Sequence, residues 1–301
     1  MYPYAYIILF YSLCLVSYTS VRAVSPLGLL WTNWDGIQSS SPSSYMNPTS
    51  EDQIVPIIQS SYHKNQSVKV IGAGLSFSGI QLSNQDTAGK MISFDHYNKV
   101  LNVEYTRDGA LVEVQSGIQL RDLCIYLEGL NLSFVNLGAT ATQSLAGATG
   151  MLKCFHFVCC MSYIVYVVYT VATGTHGTGL SLGNLASQIR ALRMIDSRGN
   201  IILADTNTNK ELYDAARVGL GAVGIISTMT IHVVPLWKMH VYPVHMALSD
   251  VLLGDTLSRM LTQYARIQWS FQVYTSDVTF TIREDVDNDT PLYPPGVYGG
   301  C

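Results

Sequence analysis

The chain has 301 residues, of which 48% are hydrophobic and 13% are charged, and its formal net charge is −4. This composition suits one large or two medium packed domains and excludes a largely disordered chain. The negative charge and the lack of basic runs interleaved with aromatic residues disfavour a nucleic-acid partner. We therefore expect a packed globular protein whose substrate is not a polyanion.

The first twenty-three residues, 1–23, are apolar and rich in tyrosine. They are typical of the apolar core of a secretory signal and end at a small-residue site, although a positively charged start is missing. An uncleaved membrane anchor is the competing interpretation, because the run has about the length of a minimal span. We expect the secretory pathway, the endoplasmic reticulum or a membrane as the location, with a mitochondrial location as the alternative.

The next part of the chain alternates helices and strands. Ser50 lies three residues before Gln53, which is capping-box spacing, and the apolar residues that follow predict a helix packed beneath a strand over 68–71. Another strand is predicted over 91–94. A hairpin over 100–105 and 111–115 and a helix marked by leucines follow. The stripe of that helix consists of Leu120, Leu123, Leu127 and Leu130.

A glycine-rich loop follows the strand over 68–71. Its sequence is Gly-Ala-Gly-Leu-Ser-Phe-Ser, and its backbone N–H groups, with the hydroxyls of Ser76 and Ser78, suit an anion such as a pyrophosphate. Alone, the motif is not the dinucleotide fingerprint of doubly wound folds, and a plain strand-to-turn exit is the better explanation of it. Two later Gly/Ser/Thr segments, over 136–149 and 173–179, strengthen it, because separate loops can grip a dinucleotide along its length.

The second half of the chain continues the same pattern. A hairpin is predicted over 189–195 and 201–204, then a short helix over 210–218. A glycine run leads into a strand over 225–234, which Pro235 stops. The final predictions are a helix over 252–266, an alternating strand over 268–282 and a loop over 294–301.

Four of these motifs occur in one order that resembles a known family. They are the Gly-Ala-Gly-x-Ser-Phe-Ser loop, the Leu-Arg-Asp-Leu segment at 120–123, the Thr-Gly-Thr-His-Gly-Thr-Gly loop and the Leu-Gly-Ala-Val-Gly-Ile-Ile run at 220–226. The chain is similar in this respect to the sugar-1,4-lactone oxidases, the aldonolactone oxidoreductases of the vanillyl-alcohol-oxidase flavoprotein superfamily. The resemblance covers about residues 31 to 235 well and the rest faintly.

The resemblance implies an α+β fold. We expect a two-lobed PCMH-type FAD-binding domain over 31–235, followed over 236–301 by the start of a truncated substrate-binding cap domain. The implied activity is oxidation of a sugar 1,4-lactone, such as D-arabinono- or L-gulono-1,4-lactone. Hydride goes to the flavin, and electrons then pass to oxygen or another acceptor. The implied partners are therefore a small lactone and an electron acceptor.

The resemblance also implies which residues hold FAD. Many members of the family attach the flavin through a histidine where this chain has Leu75, so we expect non-covalent FAD. The expected cofactor-binding residues come from the glycine loops and the run that follows. They are Gly72, Ala73, Gly74, Leu75, Ser76, Phe77, Ser78, Gly138, Ala146, Gly147, Gly174, Thr175, His176, Gly177, Thr178, Gly179, Gly224 and Ile225.

Catalytic residues are not assigned from the sequence. His176 lies between glycines, where shaping the loop is at least as reasonable a role as catalysis. The six cysteines and seven histidines lack metal-ligand spacing, and no nucleophile elbow supports a hydrolase. The family's substrate-contacting groups lie mainly in the cap, so we expect inefficient lactone turnover by the 301-residue chain. The alternatives are a flavin-binding remnant without turnover and a related oxidase of an alcohol or sugar.

The apolar segment over 150–171 interrupts the glycine-rich pattern, and removing it restores the family's continuous loop. A membrane span here would place two halves of one cofactor loop on opposite faces of a bilayer. A buried β segment would need a core that the fold does not otherwise provide, and an exposed one would invite aggregation. We favour a retained intron translated in frame. The form lacking the segment should be soluble and bind FAD, while the full chain should aggregate or lose flavin.

Overall fold

The structure is a computed structural model, and it describes residues 23–25, 28–76, 78–83, 89–138, 140–150, 175–271, 274–287, 289 and 297–299. The predicted signal or anchor lies outside the described residues except for Ala23, and the apolar insertion lies outside them except for Gly150. Among the described residues, no helix has both the length and the apolar character needed to cross a membrane.

The described chain begins with a small antiparallel sheet. It consists of β1 (Ala23–Ser25), β2 (Gly28–Thr32) and β3 (Ser39–Ser40). Trp31 in β2 is buried and packs with Ile71 and Met91. The entry strands are thereby fixed against the first lobe.

The first lobe is a parallel three-stranded sheet with one helix. Its elements are β4 (Ser44–Met46), α1 (Glu51–His63), β5 (Val68–Ile71) and the central strand β6 (Lys90–Ser93). Buried Ile54 and Ile58 place α1 against Ile92, so the predicted helix beneath a strand is confirmed. The predicted capping box is wrong: the Ser50 side chain makes no cap bond. The Gln53 amide oxygen instead accepts from the Thr49 N–H at 2.8 Å.

The second lobe is built around an antiparallel sheet with the order β11-β10-β12-β8-β7, and β9 pairs with the end of β12. Its strands are β7 (Val100–Thr106), β8 (Gly109–Gln115), β9 (Leu132–Ser133), β10 (Ile189–Ile195), β11 (Ile201–Asp205) and β12 (Ile225–Pro235). The helices are α2 (Leu120–Glu128), α3 (Leu145–Gly150) and α4 (Lys210–Ala216). The pairing of β7 with β8 and of β10 with β11 confirms both hairpins. Buried Leu123 and Leu127 pack into the sheet core, which confirms the leucine-marked helix.

Direct contacts join the two lobes. The Arg193 guanidinium in β10 donates to both Glu51 carboxylate oxygens of α1, with Nε–O distances of 2.9 and 3.0 Å. The buried Tyr97 hydroxyl lies 2.8 Å from Ser227 Oγ of β12. Burial raises the pKa of Tyr97, and the hydrogen bond to Ser227 opposes that shift. A mixed helix-and-sheet fold with two joined lobes is therefore observed, as predicted.

The C-terminal unit is a second antiparallel sheet, ordered β14-β15-β13-β16, with two helices on one face. Its strands are β13 (Lys238–Ala247), β14 (Arg266–Phe271), β15 (Asp277–Val286) and β16 (Val297–Gly299). Its helices are α5 (Leu248–Leu252) and α6 (Thr256–Gln263). Buried Ile267, Phe280 and Ile282 form its core.

Most of the sequence predictions for this unit are wrong. The helix predicted over 252–266 has the wrong bounds: α5 ends at Leu252, α6 spans only Thr256–Gln263, and Gly254 between them has φ +78°, which does not continue a helix. The strand over 268–282 is a hairpin of two paired strands. The prediction missed β13, whose pattern is interrupted by Pro243, a residue that normally argues against a strand. The loop over 294–301 contains β16, which pairs with β13.

Candidate functional site

The first glycine loop leaves β5 and is held by neighbouring segments. Asn33 Nδ2 donates to the Ser76 carbonyl at 3.0 Å, and the Trp34 N–H donates to the Gly74 carbonyl at 3.2 Å. Gly74 has φ +66°, a conformation that disfavours a side chain, and a Cβ there would lie 3.3 Å from Trp31. The Ser76 hydroxyl is buried and lies 3.2 Å from Ser78 Oγ, so these hydroxyls contact each other. Phe77 lies outside the described residues.

The second loop, over 136–149, lies directly on the first. A Cβ atom built on Gly72 would lie only 2.0 Å from Ser144 Oγ, so the two loops approach at a position that requires glycine. The prediction of a loop over the whole segment is wrong, because α3 begins at Leu145 and includes Ala146 and Gly147. Ser144 starts that helix: its Oγ accepts from the Gly147 N–H at 3.3 Å, which is N-cap geometry.

The third loop, over 175–184, packs on the second. A Cβ on Gly138 would lie 2.5 Å from Thr175 Cγ2, and one on Gly177 would lie 1.9 Å from Asn136 Oδ1. Asn136 Nδ2 also donates to the Gly183 carbonyl at 3.3 Å. The glycines of the motif thus lie where loops cross each other, which their small size permits.

The histidine of the third loop forms a local contact. His176 is exposed, and its Nδ1 lies 2.9 Å from the carbonyl oxygen of Gly177, the next residue. That contact agrees with a role in shaping the loop. Thr178 and Gly179 follow among the described residues, while Gly174 lies outside them.

The last predicted site residues lie at the start of β12. Gly224 has φ +133°, and Ile225 pairs with Ile195 of β10. Ser116 connects this point to the second loop: its Oγ donates to the Ile226 carbonyl at 2.6 Å, and its carbonyl accepts from the Ala146 N–H at 3.0 Å. The structure therefore brings the glycine loops and the start of β12 together.

The residues that tie the loops together were not predicted from the sequence. Asn136, Ser144 and Ser116 each bridge two segments that are distant in sequence. A polar residue beside a glycine motif was the available signal for the first two. No local pattern distinguished Ser116, because its partners become neighbours only after the sheet forms.

One buried polar atom of the second loop has no partner within the described chain. Gln143 is 4% exposed, and its Oε1 accepts no hydrogen bond there. Leaving such an acceptor unsatisfied costs about 1–3 kcal/mol, so a ligand that offers an N–H or O–H group would satisfy it. A dinucleotide carries such donors as well as phosphates suited to glycine loops. The residues present therefore fit FAD.

Comparison with known protein families indicates the class of protein. Residues 42–158 match the FAD binding domain family, which spans the first loop and the second. The chain therefore carries an FAD-binding domain.

Curated relatives narrow the class further. The chain is 32% identical over 223 residues to an L-gulono-1,4-lactone dehydrogenase of Mycobacterium tuberculosis, covering 74% of this chain and 45% of the relative. It is 31% identical to the L-gulonolactone oxidase of Bos taurus, covering 80% of this chain and 49% of that protein. It is 30% identical to the D-arabinono-1,4-lactone oxidase of Eremothecium gossypii, covering 70% of this chain and 35% of that protein. The resemblance predicted from the motifs is confirmed: the chain is a homologue of these lactone oxidases and dehydrogenases.

The relatives are longer than this chain, and a solved structure shares its fold. The chain spans about half or less of the length of these relatives. A cholesterol oxidase from Brevibacterium sterolicum has the same fold with a TM-score of 0.67 at 12% identity, covering 88% of this chain and 48% of that one. At that identity the likeness concerns the fold alone.

Proposed function

We propose that this protein is an FAD-dependent oxidoreductase that oxidises a sugar 1,4-lactone. The observation that carries the proposal is the convergence of three glycine-bearing loops through the crossings Gly72–Ser144, Gly138–Thr175 and Gly177–Asn136. Such loops suit the length of a dinucleotide. The names of the homologues support the lactone, with D-arabinono- and L-gulono-1,4-lactone as the proposed substrates. Oxygen or another acceptor would take the electrons.

In this proposal the protein binds and orients, while FAD supplies the capacity to accept a hydride. The backbone of 72–78 and 175–179 would hold the phosphates. The buried Gln143 Oε1 would accept a hydrogen bond from the cofactor, because it has no donor within the described chain. Gly224 and Ile225 would contribute to the wall at the start of β12.

We propose that the FAD is not covalently attached. Leu75 occupies the position where many members of the family have the attaching histidine, and a leucine side chain has no nucleophilic nitrogen. Acid precipitation of the flavin-loaded protein should therefore leave yellow colour in the supernatant.

We propose that residues 31–235 are the FAD-binding domain and that residues 236–301 begin a substrate-binding domain. The separate sheet of β13 to β16 supports this division.

Two proposals concern segments that lie outside the described residues except for Ala23 and Gly150. Residues 1–23 would direct the chain to the secretory pathway, the endoplasmic reticulum or a membrane, with a mitochondrial location as the alternative. Residues 150–171 would be a translated intron. Expression of the full chain and of a form lacking 150–171 would test the second idea by flavin content per chain. Equal, stoichiometric flavin in both would show that the insertion is tolerated.

The experiment for the function itself is anaerobic reduction. Flavin-loaded protein is mixed with each lactone, and the absorbance of oxidised flavin near its visible maximum is followed. We expect slow, lactone-dependent bleaching, which the corresponding open-chain sugar acid does not produce. If no lactone bleaches the bound flavin, even after prolonged incubation, the protein binds flavin but lacks this activity.

A further inference from the structure

The seam between the second lobe and the C-terminal sheet is bridged by one indole. Trp237 lies in the two-residue connection between β12 and β13, and its Nε1 donates to the Phe134 carbonyl at 3.0 Å. Phe134 is fully buried, and the chain reaches Asn136 of the second loop two residues later. Trp237 thus connects the C-terminal unit to the start of the second loop.

A buried guanidinium stacks on that indole. Arg266, the first residue of β14, is only 9% exposed, and its Cζ lies 4.1 Å from the centroid of the Trp237 ring. Its Nη1 donates to Asp285 of β15 at 2.5 Å. Its buried Nε has no acceptor within the described chain. An ion so removed from water depends strongly on its partners, which among the described residues include the Trp237 ring and the Asp285 carboxylate.

The residue before Arg266 contacts the third loop. A Cβ atom built on Gly179 would lie 2.7 Å from the carbonyl oxygen of Ala265. Gly179 also has φ +131°, so a larger residue is disfavoured there for two independent reasons. The stretch 265–266 therefore contacts the third loop directly and reaches the start of the second loop through Trp237.

We propose that Arg266 and Trp237 are positioning residues that hold the second and third loops in place against the C-terminal sheet. This inference rests on the proposed function, because it treats these loops as the cofactor site. The stack couples them to the sheet proposed to begin the substrate domain. A shift of that sheet would then alter how tightly the loops hold the cofactor.

The test compares Arg266→Met with a matched control. Arg217→Met removes another arginine that stacks on an aromatic ring, Tyr213 at 4.4 Å, and pairs with an aspartate, Asp214. Arg217 directly follows α4, and its side-chain hydrogen bond goes to Asp214 of that helix rather than to a residue of the seam. Hydrogen exchange of the full chain without added flavin is measured for both variants. Arg266→Met should speed exchange in 136–149 and 175–184 about 10- to 30-fold relative to the β7–β8 hairpin, whereas Arg217→Met should leave that ratio unchanged.

Conservative variants separate the two links of the seam. Trp237→Phe keeps a ring for the guanidinium but loses the donor to Phe134, so exchange should rise in 136–149 and stay near wild type in 175–184. Arg266→Lys keeps the charge but lacks a planar group that stacks, so it should resemble Arg266→Met more than wild type. A merely structural arginine would give uniform acceleration across the chain.

Flavin titration gives a second, separable readout. If the wild type binds FAD, Arg266→Met should raise the dissociation constant about 10- to 30-fold, and Arg217→Met should not. Unchanged exchange in both loops, or uniform exchange changes, would overturn the coupling even when flavin binds. Absence of flavin binding by both the wild type and the form lacking residues 150–171 would instead count against the proposed function, and the exchange measurement would still decide the coupling.

Discussion

The crossing of the first and second loops gives the sharpest prediction about this site. Gly72→Ala introduces a Cβ atom that would lie 2.0 Å from Ser144 Oγ and 3.0 Å from Ser144 Cβ. Gly72 does not have a positive φ, so alanine is compatible with its backbone and the clash alone decides the outcome. Either the serine hydroxyl leaves its place or the two loops separate.

The expected loss of stability follows from these two ways of relieving the clash. Rotation of Ser144 Oγ breaks its bond to the Gly147 N–H, and loss of such an N-cap costs about 1 kcal/mol. Separation of the loops is an overpacking response, which costs about 1–3 kcal/mol. We therefore expect Gly72→Ala to lower the free energy of unfolding by about 2 kcal/mol.

A double-mutant cycle isolates the contact. Ser144→Gly removes both clashing atoms and by itself costs only a few tenths of a kcal/mol, because glycine is an acceptable N-cap. The double variant should recover about 1.5 kcal/mol of the loss, measured by urea unfolding. Gly129→Ala is the control, since the nearest atom to its Cβ position lies at an ordinary 3.4 Å and its φ is −60°. Additivity of Gly72→Ala and Ser144→Gly to within about 0.5 kcal/mol would refute the described crossing.

Three further predictions concern the orphaned amide, the lobe-to-lobe ion pair and an acidic turn. Gln143→Leu removes an unsatisfied buried acceptor, so the flavin-free protein should be equally stable or gain about 1–3 kcal/mol in its free energy of unfolding. The same variant should bind FAD more weakly in a fluorescence titration. A parallel loss of stability and FAD binding would contradict the role of Gln143 as an acceptor for the cofactor. Glu51→Gln should cost about 1–2 kcal/mol in urea unfolding, since it removes the charge from the carboxylate that Arg193 contacts through Nε and Nη2. Loss of less than about 0.3 kcal/mol would show that this pair does not stabilise the lobe contact. Hydrogen bonds from the following backbone N–H groups lower the pKa of Asp205. Its contribution to stability is therefore complete above about pH 4 and is lost as the pH falls through the lowered folded-state pKa. Asp205→Asn should make the free energy of unfolding fall less steeply at acid pH, and an unchanged slope would show that this carboxylate does not contribute.

The elements that the sequence predicted well are those with a strong local pattern. The alternation in β7 and β8 and the leucine spacing in α2 are local signals that tertiary packing reinforced. The leucine predicted at the end of that stripe, Leu130, lies just beyond the helix but still packs on its core. Pattern therefore identified the buried face better than it identified the helix end.

The C-terminal unit shows why the rest was not predictable. Its strands are paired across long separations, as where Tyr242 of β13 lies opposite Ile282 of β15. Such pairing makes a proline-containing strand such as β13 stable, although its local sequence argues against it. Gly254 lies between α5 and α6 with φ +78°, so the helix that periodicity predicted from Leu252 begins only at Thr256.

The site was predictable as motifs but not as contacts. The glycines were recognisable from their order along the chain, yet their close partners, Asn136 and Ser144, emerge only when the loops meet. The unsatisfied oxygen of Gln143 likewise has meaning only once burial is known. Composition cannot reveal either property, because both depend on residues far apart in sequence.

The central claim is that three converging loops bind FAD without a covalent bond. Its most direct test is flavin quantification on the purified form lacking residues 150–171, reconstituted with FAD and then acid-precipitated. We expect close to one FAD per chain before acid and all of it in the supernatant afterwards. No bound flavin after reconstitution, or colour that stays with the precipitated chain, would contradict it.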